Sequence, residues 1–257
     1  MKKEKYQVPS IHRAINILEH LRKDPNLTMK QIGDALELAN STCFNILTTL
    51  ESRGMITRDP QTSRYQLGHN LMLLGMSVYE NIDIRQTALP YMQKLSDRFN
   101  STSYLSILDY YSLTGTIIER SVGRNARFVV MLKVGEPVPL NASGTGKALM
   151  LALKESQLNT LINRIKSNKY TKNTLVNRKE ILEEIRLIKK NGYAMTSAEL
   201  EEHVSSIGAP IRNFTNQVIA AISVAGHIKT MNEIKDEVVY EVKKASQDIS
   251  KELGYIL

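Results

Sequence analysis

Apolar residues recur at helical spacing along residues 10–54, and this pattern predicts three short helices. The first helix is expected to run from Ser10, its cap, to about Lys23, and Pro25 stops it. Its apolar positions are Ile11, Ala14, Ile15, Leu18 and Leu21. This helix supports the two that follow.

The second and third helices are separated by only a tight turn. Thr28 and Gln31 have the spacing of a capping box, and the helix that they begin has its apolar face at Ile32, Ala35 and Leu36. Asn40 and Ser41 are expected to cap the next helix, which ends at Gly54. Its apolar positions are Cys43, Ile46, Leu47 and Leu50.

A small basic hairpin follows these helices. Residues 55–58 and 64–67 form two predicted strands, and residues 59–63 are of the turn-forming types. Helix, turn, helix and hairpin are the layout of a winged helix-turn-helix. The last of the three helices is therefore the candidate for the DNA major groove, and the hairpin is the candidate wing.

The pattern changes after Gly68. An apolar helix at residues 71–76 has no evident partner in so small a domain, so we interpret residues 69–84 as a helical linker that also pairs with another subunit. Helical spacing returns at residues 88–99. Short segments rich in β-branched and aromatic residues then predict strands at 103–108, 116–120, 128–132 and 218–224. Further helices are predicted at 146–153, 155–164, 178–191 and 234–253.

This alternation predicts an α+β domain on a largely antiparallel sheet. The expected division is a DNA-binding domain over residues 1–68, the linker over 69–84, and the α+β domain over 85–257. The net charge of +8 suits phosphate contacts, although the basic residues are spread over the whole chain, as in a generically basic protein.

Composition excludes several other classes of protein. Cys43 is the single cysteine, so disulfides are excluded and a reducing cytoplasm is the expected compartment. The start of the chain, Met1–Tyr6, is charged, and neither a signal peptide nor a membrane span is indicated. The histidines lack metal-ligand spacing, and neither a metal nor a cofactor is expected.

One glycine-rich segment would suit an enzyme. Gly144-Thr145-Gly146-Lys147 suggests a phosphate-binding loop, but Asn141 and Ala148 stand where that loop needs a glycine and a Ser or Thr. No Gly-x-Ser-x-Gly elbow occurs either. The expectation is therefore that the chain is not an enzyme.

These motifs together resemble the isocitrate lyase regulator (IclR) family of bacterial transcription factors. The matching segments stand in the family's order at residues 13–18, 41–42, 54–56, 58–60, 64–68, 144–149, 192–193, 199, 209–211 and 221–224. The resemblance implies a winged-helix domain, a helical linker and a GAF/PAS-like domain, which makes residues 85–257 the expected effector-binding and oligomerisation domain. It also implies assembly as dimers or dimers of dimers on operator DNA.

Candidate DNA contacts lie on the outward side of the third helix and beside the wing turn. They are Ser41, Thr42, Phe44, Asn45, Thr48, Arg58 and Arg64. Asn45 suits adenine and Phe44 suits a thymine methyl, while Ser41 and Thr42 suit phosphate or cap roles. The alternatives are that Phe44 belongs to the core, that Asn45 is merely exposed, and that the arginines are solvated or paired with Asp59.

Candidate effector contacts follow from the resemblance. They are Gly144 and Thr145 in a small-residue loop, with Thr196, Ser206 and Ser223 on facing segments. This chain differs from the common pattern of the family at four positions of the site. Ser206 stands where a cysteine is frequent, Thr196 where an acidic residue is found, Ala225 where a second serine is found and His203 where glycine is usual. These differences argue against a glyoxylate-like ligand. The alternative is that these hydroxyl residues are ordinary strand and loop residues.

The sequence therefore predicts a one-component regulator, most simply a repressor, whose operator binding responds to a small polar or anionic metabolite. Its expected partners are double-stranded operator DNA, a small-molecule effector and further copies of itself as a homodimer or homotetramer, with no membrane partner. The alternative function is a DNA-binding module whose C-terminal domain serves only assembly.

Overall fold

The structure, a computed structural model, describes residues 8–80, 83–165 and 169–255. The chain divides into two units, residues 1–81 and 82–257. The charged start Met1–Tyr6, and residues 81–82 inside the expected linker, lie outside the described residues. The sequence-based boundaries after 68 and 84 stay predictions. No helix in the described part is long and apolar enough to cross a membrane.

The described residues of the N-terminal unit form four helices and a three-stranded antiparallel sheet of order β1-β3-β2. Along the chain the elements are α1 (Pro9–Lys23), β1 (Leu27–Thr28), α2 (Met29–Ala35), α3 (Asn40–Ser52), β2 (Ile56–Arg58), β3 (Arg64–Leu67) and α4 (His69–Glu80). The capping box at α2 is confirmed, because Thr28 and Gln31 each accept from the other's backbone N–H. The predicted winged helix-turn-helix is therefore present.

Three expected caps are wrong. Ser10 lies inside α1, whose N-cap is Val8, and Asn40 and Ser41 are helical residues of α3, whose N-cap is Ala39. Neither cap makes a side-chain hydrogen bond. At α1 the reason is Pro9, because its fixed φ and missing N–H suit the first position of a helix.

The buried face of α1 is also rotated from the expected one. Ile17 and Leu21 are buried, whereas Ile11 and Ile15 are 58% and 48% exposed. The core of this unit takes one apolar residue or more from each element up to β3. Its buried members are Ile17, Leu21, Leu27, Ile32, Cys43, Ile46, Leu47, Ile56 and Tyr65.

Two glycines let the chain pass from α3 through the wing into α4. Gly54 follows α3 with a φ of +62°, a conformation that side chains disfavour. A Cβ at Gly68 would lie 2.1 Å from the Gly54 carbonyl oxygen, so no larger residue fits there.

The C-terminal unit is built on a six-stranded sheet of order β6-β5-β4-β9-β8-β7, and every neighbouring pair is antiparallel. Its strands are β4 (Thr102–Asp109), β5 (Thr114–Val122), β6 (Pro137–Val138), β7 (Ala194–Ser197), β8 (Val204–Arg212) and β9 (Val218–His227). Its helices are α5 (Asp83–Phe99), α6 (Gly144–Leu149), α7 (Glu155–Ile165), α8 (Arg178–Asn191), α9 (Ile228–Glu233) and α10 (Lys235–Glu252). A 3-10 turn, Met150–Ala152, follows α6.

The two faces of this sheet are buried by different helices. On one face α5 and α10 pack against residues such as Leu105, Ile207 and Ile222. The other face meets α6, α7 and α8, with Leu108 and Ala221 in the contact. Because successive strand residues point to opposite faces, the alternation along β9 assigns Ser223 and Ala225 to the α6 side.

The strand predicted at 128–132 is wrong, because these residues form an irregular segment. Two of its apolar residues face inward, since Val130 is buried and Leu132 packs against the same cluster beside the sheet. The sequence pattern did not predict β6, β7, β8 or α9. Gly208 and Pro210 are uncommon inside strands, so β8 was not predicted. Strand β7 pairs with β8 only as far as Gly208, so Pro210 lies beyond that partner strand and needs no N–H toward it.

Candidate nucleic-acid interface and ligand cavity

Helix α3 presents a polar and aromatic row to solvent. Cys43, Ile46 and Leu47 are buried in the unit's core. Because they occupy one side of the helix, the predicted contacts turn outward: Ser41, Phe44, Asn45 and Thr48 are exposed and Thr42 is half-buried. A helix with this arrangement can lie in the major groove with these side chains toward base edges.

Two members of this row are well suited to contact bases. Phe44 is 54% exposed, which excludes the alternative that it is a core residue. Asn45 is exposed, and within the described residues its side-chain amide makes no hydrogen bond, so both the donor and the acceptor of the amide are available.

The wing arginines are exposed but held by neutral groups. The Arg58 guanidinium lies 5.7 Å from the centre of the Tyr65 ring and donates to Ser63 Oγ at 2.9 Å. Arg64 Nη1 donates to the Asn26 carbonyl oxygen at 2.7 Å. Neither arginine forms an ion pair with Asp59 in the described part of the chain.

Asp59 has a different task in the wing. Its carboxylate accepts the backbone N–H groups of Gln61 and Thr62, both at 2.8 Å, and these bonds lower the pKa of Asp59. The acidic residue thus shapes the wing turn. The arginine charges remain available to phosphates.

A small cavity lies in the C-terminal unit between the sheet and the loop that leads into α6. All five residues expected to contact an effector line it: Gly144, Thr145, Thr196, Ser206 and Ser223. The centre of a water-sized sphere can occupy about 30 Å³ of this cavity. The structure therefore brings together residues that are up to 79 positions apart in the chain, from Gly144 to Ser223.

Hydroxyl groups form the polar part of this cavity. Ser206 Oγ accepts the Gly144 N–H at 2.9 Å and lies 2.8 Å from Thr196 Oγ1. Thr145 Oγ1 accepts from Ser106 Oγ at 3.1 Å. Among the described residues the Ser223 hydroxyl makes no side-chain hydrogen bond, so it can bond to a ligand.

Most of the cavity's apolar wall was not predicted from the sequence. Tyr104 comes from β4, and Val130 and Leu132 come from the irregular segment that follows β5. The Tyr104 hydroxyl donates to the Val130 carbonyl oxygen and accepts the Leu132 N–H at 3.3 Å, and burial raises its pKa to about 12. The other missed lining residues are Ile117, Val138, Leu200, Glu201 and Val204. Ala142 and Ser143 belong to the small-residue loop, and Ala225 is a position that the resemblance had already placed at the site.

The alternation within β4 contained a partial signal. Tyr104 and Ser106 point to the α6 side while Leu105 belongs to the opposite core. His203 has a φ of +73°, a left-handed conformation that glycine adopts more readily than other residues.

A buried ion cluster anchors the wall of the cavity. Lys147 of α6 is 1% exposed, and its Nζ lies 2.8 Å from each carboxylate oxygen of Glu199 and 3.3 Å from Glu184 Oε1. Burial raises the pKa of Glu199 in spite of the Lys147 charge. Glu199 immediately precedes the lining residues Leu200 and Glu201, so this pair ties α6 to that wall.

Two family models match the chain. The model described as the IclR helix-turn-helix domain matches residues 10–60. The model described as bacterial transcriptional regulator IclR C-terminal matches residues 76–251. The first match lies in the N-terminal unit, which contains the helix-turn-helix. The second covers most of the C-terminal unit, which contains the cavity.

Similar proteins span nearly the whole chain. The HTH-type transcriptional regulator XynR of Escherichia coli (strain K12) is 30% identical over 250 residues, which are 96% of this chain and 98% of XynR. The transcriptional repressor IclR of the same strain is 25% identical over 253 residues, 96% of this chain and 91% of that protein. Both relatives are named as regulators of transcription.

The fold agrees with solved structures. A crystal structure of an IclR homolog complexed with 4-hydroxybenzoate, from Microbacterium hydrocarbonoxydans, has a TM-score of 0.80 at 21% identity. The match covers 95% of this chain and 98% of that chain.

Proposed function

We propose that this chain, which belongs to the IclR family of bacterial transcriptional regulators, changes its affinity for operator DNA when a small molecule occupies the cavity of its C-terminal unit. The chain is a DNA-binding regulator with a helix-turn-helix domain and an effector-binding domain. The observation that carries the sensing proposal is the convergence of Gly144, Thr145, Thr196, Ser206 and Ser223 on one cavity.

In this proposal α3 reads the operator from the major groove. Asn45 pairs with an adenine through both ends of its amide, and Phe44 contacts a thymine methyl. Ser41, Thr42 and Thr48 contact phosphates or base edges near the start of the helix. Arg58 and Arg64 hold the phosphates beside the wing, where both guanidinium groups are exposed.

The effector in turn contacts the five hydroxyl and loop residues of the cavity. An IclR homolog has been solved in complex with 4-hydroxybenzoate, and this supports a small molecule as the signal. The compound itself is the ligand of that homolog, and we do not assign it to this chain. Repression is the simplest mode, since several relatives are named repressors.

A symmetric assembly completes the proposal. Helix α4 exposes Met72, Leu73, Leu74 and Met76, and α1 exposes Ile11 and Ile15. Apolar side chains in such number on two helices favour burial against a second copy, which gives a homodimer or, by pairing of dimers, a homotetramer. The protein would act in the cytoplasm, where bacterial operator DNA lies, and as a regulator without catalytic activity.

One experiment separates sensing from the assembly-only alternative. A metabolite collection is screened at high concentration for compounds that raise the melting temperature, and each hit is then tested for its effect on operator affinity. Ser223→Val should weaken a hit by about 1–3 kcal/mol while DNA binding without ligand survives, because only the cavity loses a hydroxyl.

Thr160→Val is the matched control, since it removes a hydroxyl from the exposed side of α7. If no compound raises the melting temperature, or if hits act equally on the Ser223→Val variant, the assembly-only function is the better one.

A further inference from the structure

A groove with a basic lining lies in the C-terminal unit, at the end of β8 and between α8 and α10. Three cations line it, Lys189 of α8, Arg212 of β8 and Lys243 of α10, and its described lining contains no aspartate or glutamate. The groove has a volume of about 430 Å³, which is within the range of small-molecule sites, roughly 300–1,000 Å³. It shares no lining residue with the cavity at Ser223.

The three charges of the groove form no ion pairs within the described residues. Arg212 is half-buried, and its Nη1 donates to neutral acceptors, the Asn216 carbonyl oxygen at 2.9 Å and Asn216 Oδ1 at 3.2 Å. Nε and Nη2 of Arg212 make no hydrogen bond in the described part of the chain. Lys243 is half-buried and Lys189 is exposed. All three charges are therefore available to a ligand.

Acidic residues on the two helices do not supply the missing negative charge. Most of them bind partners that do not line the groove: Glu183 with Arg186, Glu184 with Lys147, Glu237 and Glu241 with Arg98, Asp248 with Lys251, and Glu252 with Tyr91. The other two, Glu180 and Asp236, lie at least about 10 Å along the helix axis from the lysine of the same helix. The hairpin at residues 213–217 has no acidic residue.

The C-terminal end of α8 is the one negative feature that we find beside the groove. Gly192 caps this end and lines the groove, and a Cβ on Gly192 would lie 3.4 Å from Lys243 Cε, so the lysine passes close to the end of the helix. The end of a helix carries about half a negative charge, which offsets only part of one of the three cations. The lining as a whole remains positive.

Hydrogen bonds fix the cations of the groove relative to one another. Ser250 Oγ accepts the Arg212 backbone N–H at 2.9 Å, and Ser246 Oγ donates to the Pro210 carbonyl oxygen at 2.6 Å. These bonds join the end of β8 to α10, the helix that carries Lys243. Because the fold holds like charges together, an anion in the groove is attracted by each cation and also screens their mutual repulsion.

We propose that this groove is a second binding site, which takes the phosphate group of a small phosphorylated metabolite. Arg212 and Lys243 contact the phosphate, and Lys189 adds attraction from its exposed position. This site goes beyond the proposed function, which concerns the cavity at Ser223 alone.

Phosphate suits this lining better than a carboxylate does. A phosphate monoester carries about −1.5 to −2 charges at neutral pH, so it gains more from three cations than a single negative charge gains. The guanidinium fork of Arg212 can give two parallel hydrogen bonds to phosphate oxygens, and lysine binds phosphate as a point charge. Leu151, Ile188 and Pro210 offer an apolar surface to the carbon body of the ligand.

The test uses three probes that share one three-carbon body: glycerol 3-phosphate, glycerate and glycerol. Their affinities for the full-length protein are measured by titration calorimetry at neutral pH and low ionic strength. Glycerol 3-phosphate should bind at least about tenfold more tightly than glycerate, glycerol should not bind measurably, and added salt should weaken the phosphate most, because the attraction is one of charge.

Substitutions then locate the phosphate. Arg212→Gln and Lys243→Gln should each weaken glycerol 3-phosphate at least about fivefold. Lys189→Gln should weaken it less, and it tests the site with the smallest risk to the fold because Lys189 is exposed. Lys244→Gln is the matched control, since Lys244 is exposed, adjacent in sequence and outside the lining, and its loss changes the net charge equally. Melting temperatures check that each variant is folded.

Three results would overturn the proposal: glycerate binds as tightly as glycerol 3-phosphate, Lys244→Gln acts like Lys243→Gln, or no phosphate compound binds. Ser223→Val distinguishes the groove from the cavity. It should leave glycerol 3-phosphate binding unchanged, and a loss would assign the phosphate to the cavity and overturn the second site. If no phosphate compound binds while Arg212→Gln lowers the affinity for random DNA, the groove contacts nucleic acid instead.

Discussion

At the scale of single residues, Asn45 carries the most specific DNA contact that we propose. Its amide is exposed near the start of α3 and is free of internal hydrogen bonds in the described part of the chain. Asn45→Ala should reduce the affinity for the operator by about 1–3 kcal/mol and hardly change the affinity for random DNA, because an amide that pairs with adenine contributes only where adenine is present. Fluorescence anisotropy on both DNAs measures this.

The control for Asn45 is Ser52→Ala, an exposed substitution at the far end of the same helix. Equal losses on operator and random DNA would assign Asn45 to the DNA backbone or to the fold.

Arg64 is expected to act on all DNA sequences alike. Arg64→Ala should weaken binding generally and reduce the slope of log affinity against log salt by about one unit, because one phosphate contact fewer releases one counterion fewer. The bond from Arg64 to Asn26 leaves its guanidinium exposed, which this role requires. Lys179→Ala, an exposed cation on α8, should leave the slope unchanged. An unaltered slope for Arg64→Ala would remove Arg64 from the phosphate contacts.

Glu199 predicts a measurable pH dependence of stability. Because burial raises the pKa of Glu199 above its ordinary value of 4.5, the folded chain keeps this proton at pH values where the unfolded chain has lost it. The free energy of unfolding of the wild type should therefore fall relative to Glu199→Gln as pH rises from 4.5 toward the raised folded value, and the difference should be constant above that.

Urea unfolding at several pH values measures this difference, with the exposed Glu180→Gln as the control. If the wild type instead loses stability relative to Glu199→Gln as pH falls through this range, the Lys147 charge outweighs burial.

At the scale of elements, α4 exposes four large apolar side chains, more than any other described helix. Met72, Leu73 and Met76 lie within one turn of one another and are between 45% and 59% exposed. Leu73→Glu should raise the dissociation constant of the dimer at least about tenfold, because it places a charge where a leucine would be buried. Sedimentation velocity tests this, with Leu187→Glu on α8 as the control. Unchanged association would mean that α4 is not the subunit contact.

The elements also show what the sequence could and could not predict. Helical periodicity located α8 and the core face of α3, because apolar residues that recur at helical spacing lie on one side of a helix and are buried there. The buried residues are Ile181, Ile185 and Ile188 in α8 and Cys43, Ile46 and Leu47 in α3. The cap at Asn40 failed, since capping depends on one backbone dihedral angle that periodicity does not report. Strand β8 was missed because Pro210 is tolerated only through its position beyond β7, and that position depends on sheet order.

The cavity could be predicted only in part. Its five polar residues were found through the family resemblance. Its apolar wall was not, because Leu132 and Val204 meet only in the folded sheet, and strand-like composition at 128–132 suggested a strand where an irregular segment covers the cavity. Glu201 gave no signal in the sequence, since an exposed glutamate is ordinary on any surface.

At the scale of the whole molecule, the proposal is one of linkage between two sites in different units. A ligand that alters operator affinity by some factor must have its own affinity altered by the operator by the same factor. For a typical coupling of about 1–3 kcal/mol, the factor is about 5–150. Suppose that the chain is a repressor and that its effector lowers the affinity for the operator by a given factor. The effector should then bind the protein–operator complex more weakly than the free protein by that same factor.

This equality is checked by titrating the effector into the free protein and into the operator complex, and by titrating operator with and without saturating effector. Ser223→Val should weaken the effector in both titrations but leave the ratio of its two affinities near the wild-type value, because Ser223 contacts the ligand in both states. A substitution in α4 that leaves both sites intact should instead change the ratio, since α4 lies between the two domains along the chain. Two unequal factors in the wild type would mean that a second ligand or a change of assembly takes part, and that linkage between one cavity and one DNA surface is insufficient.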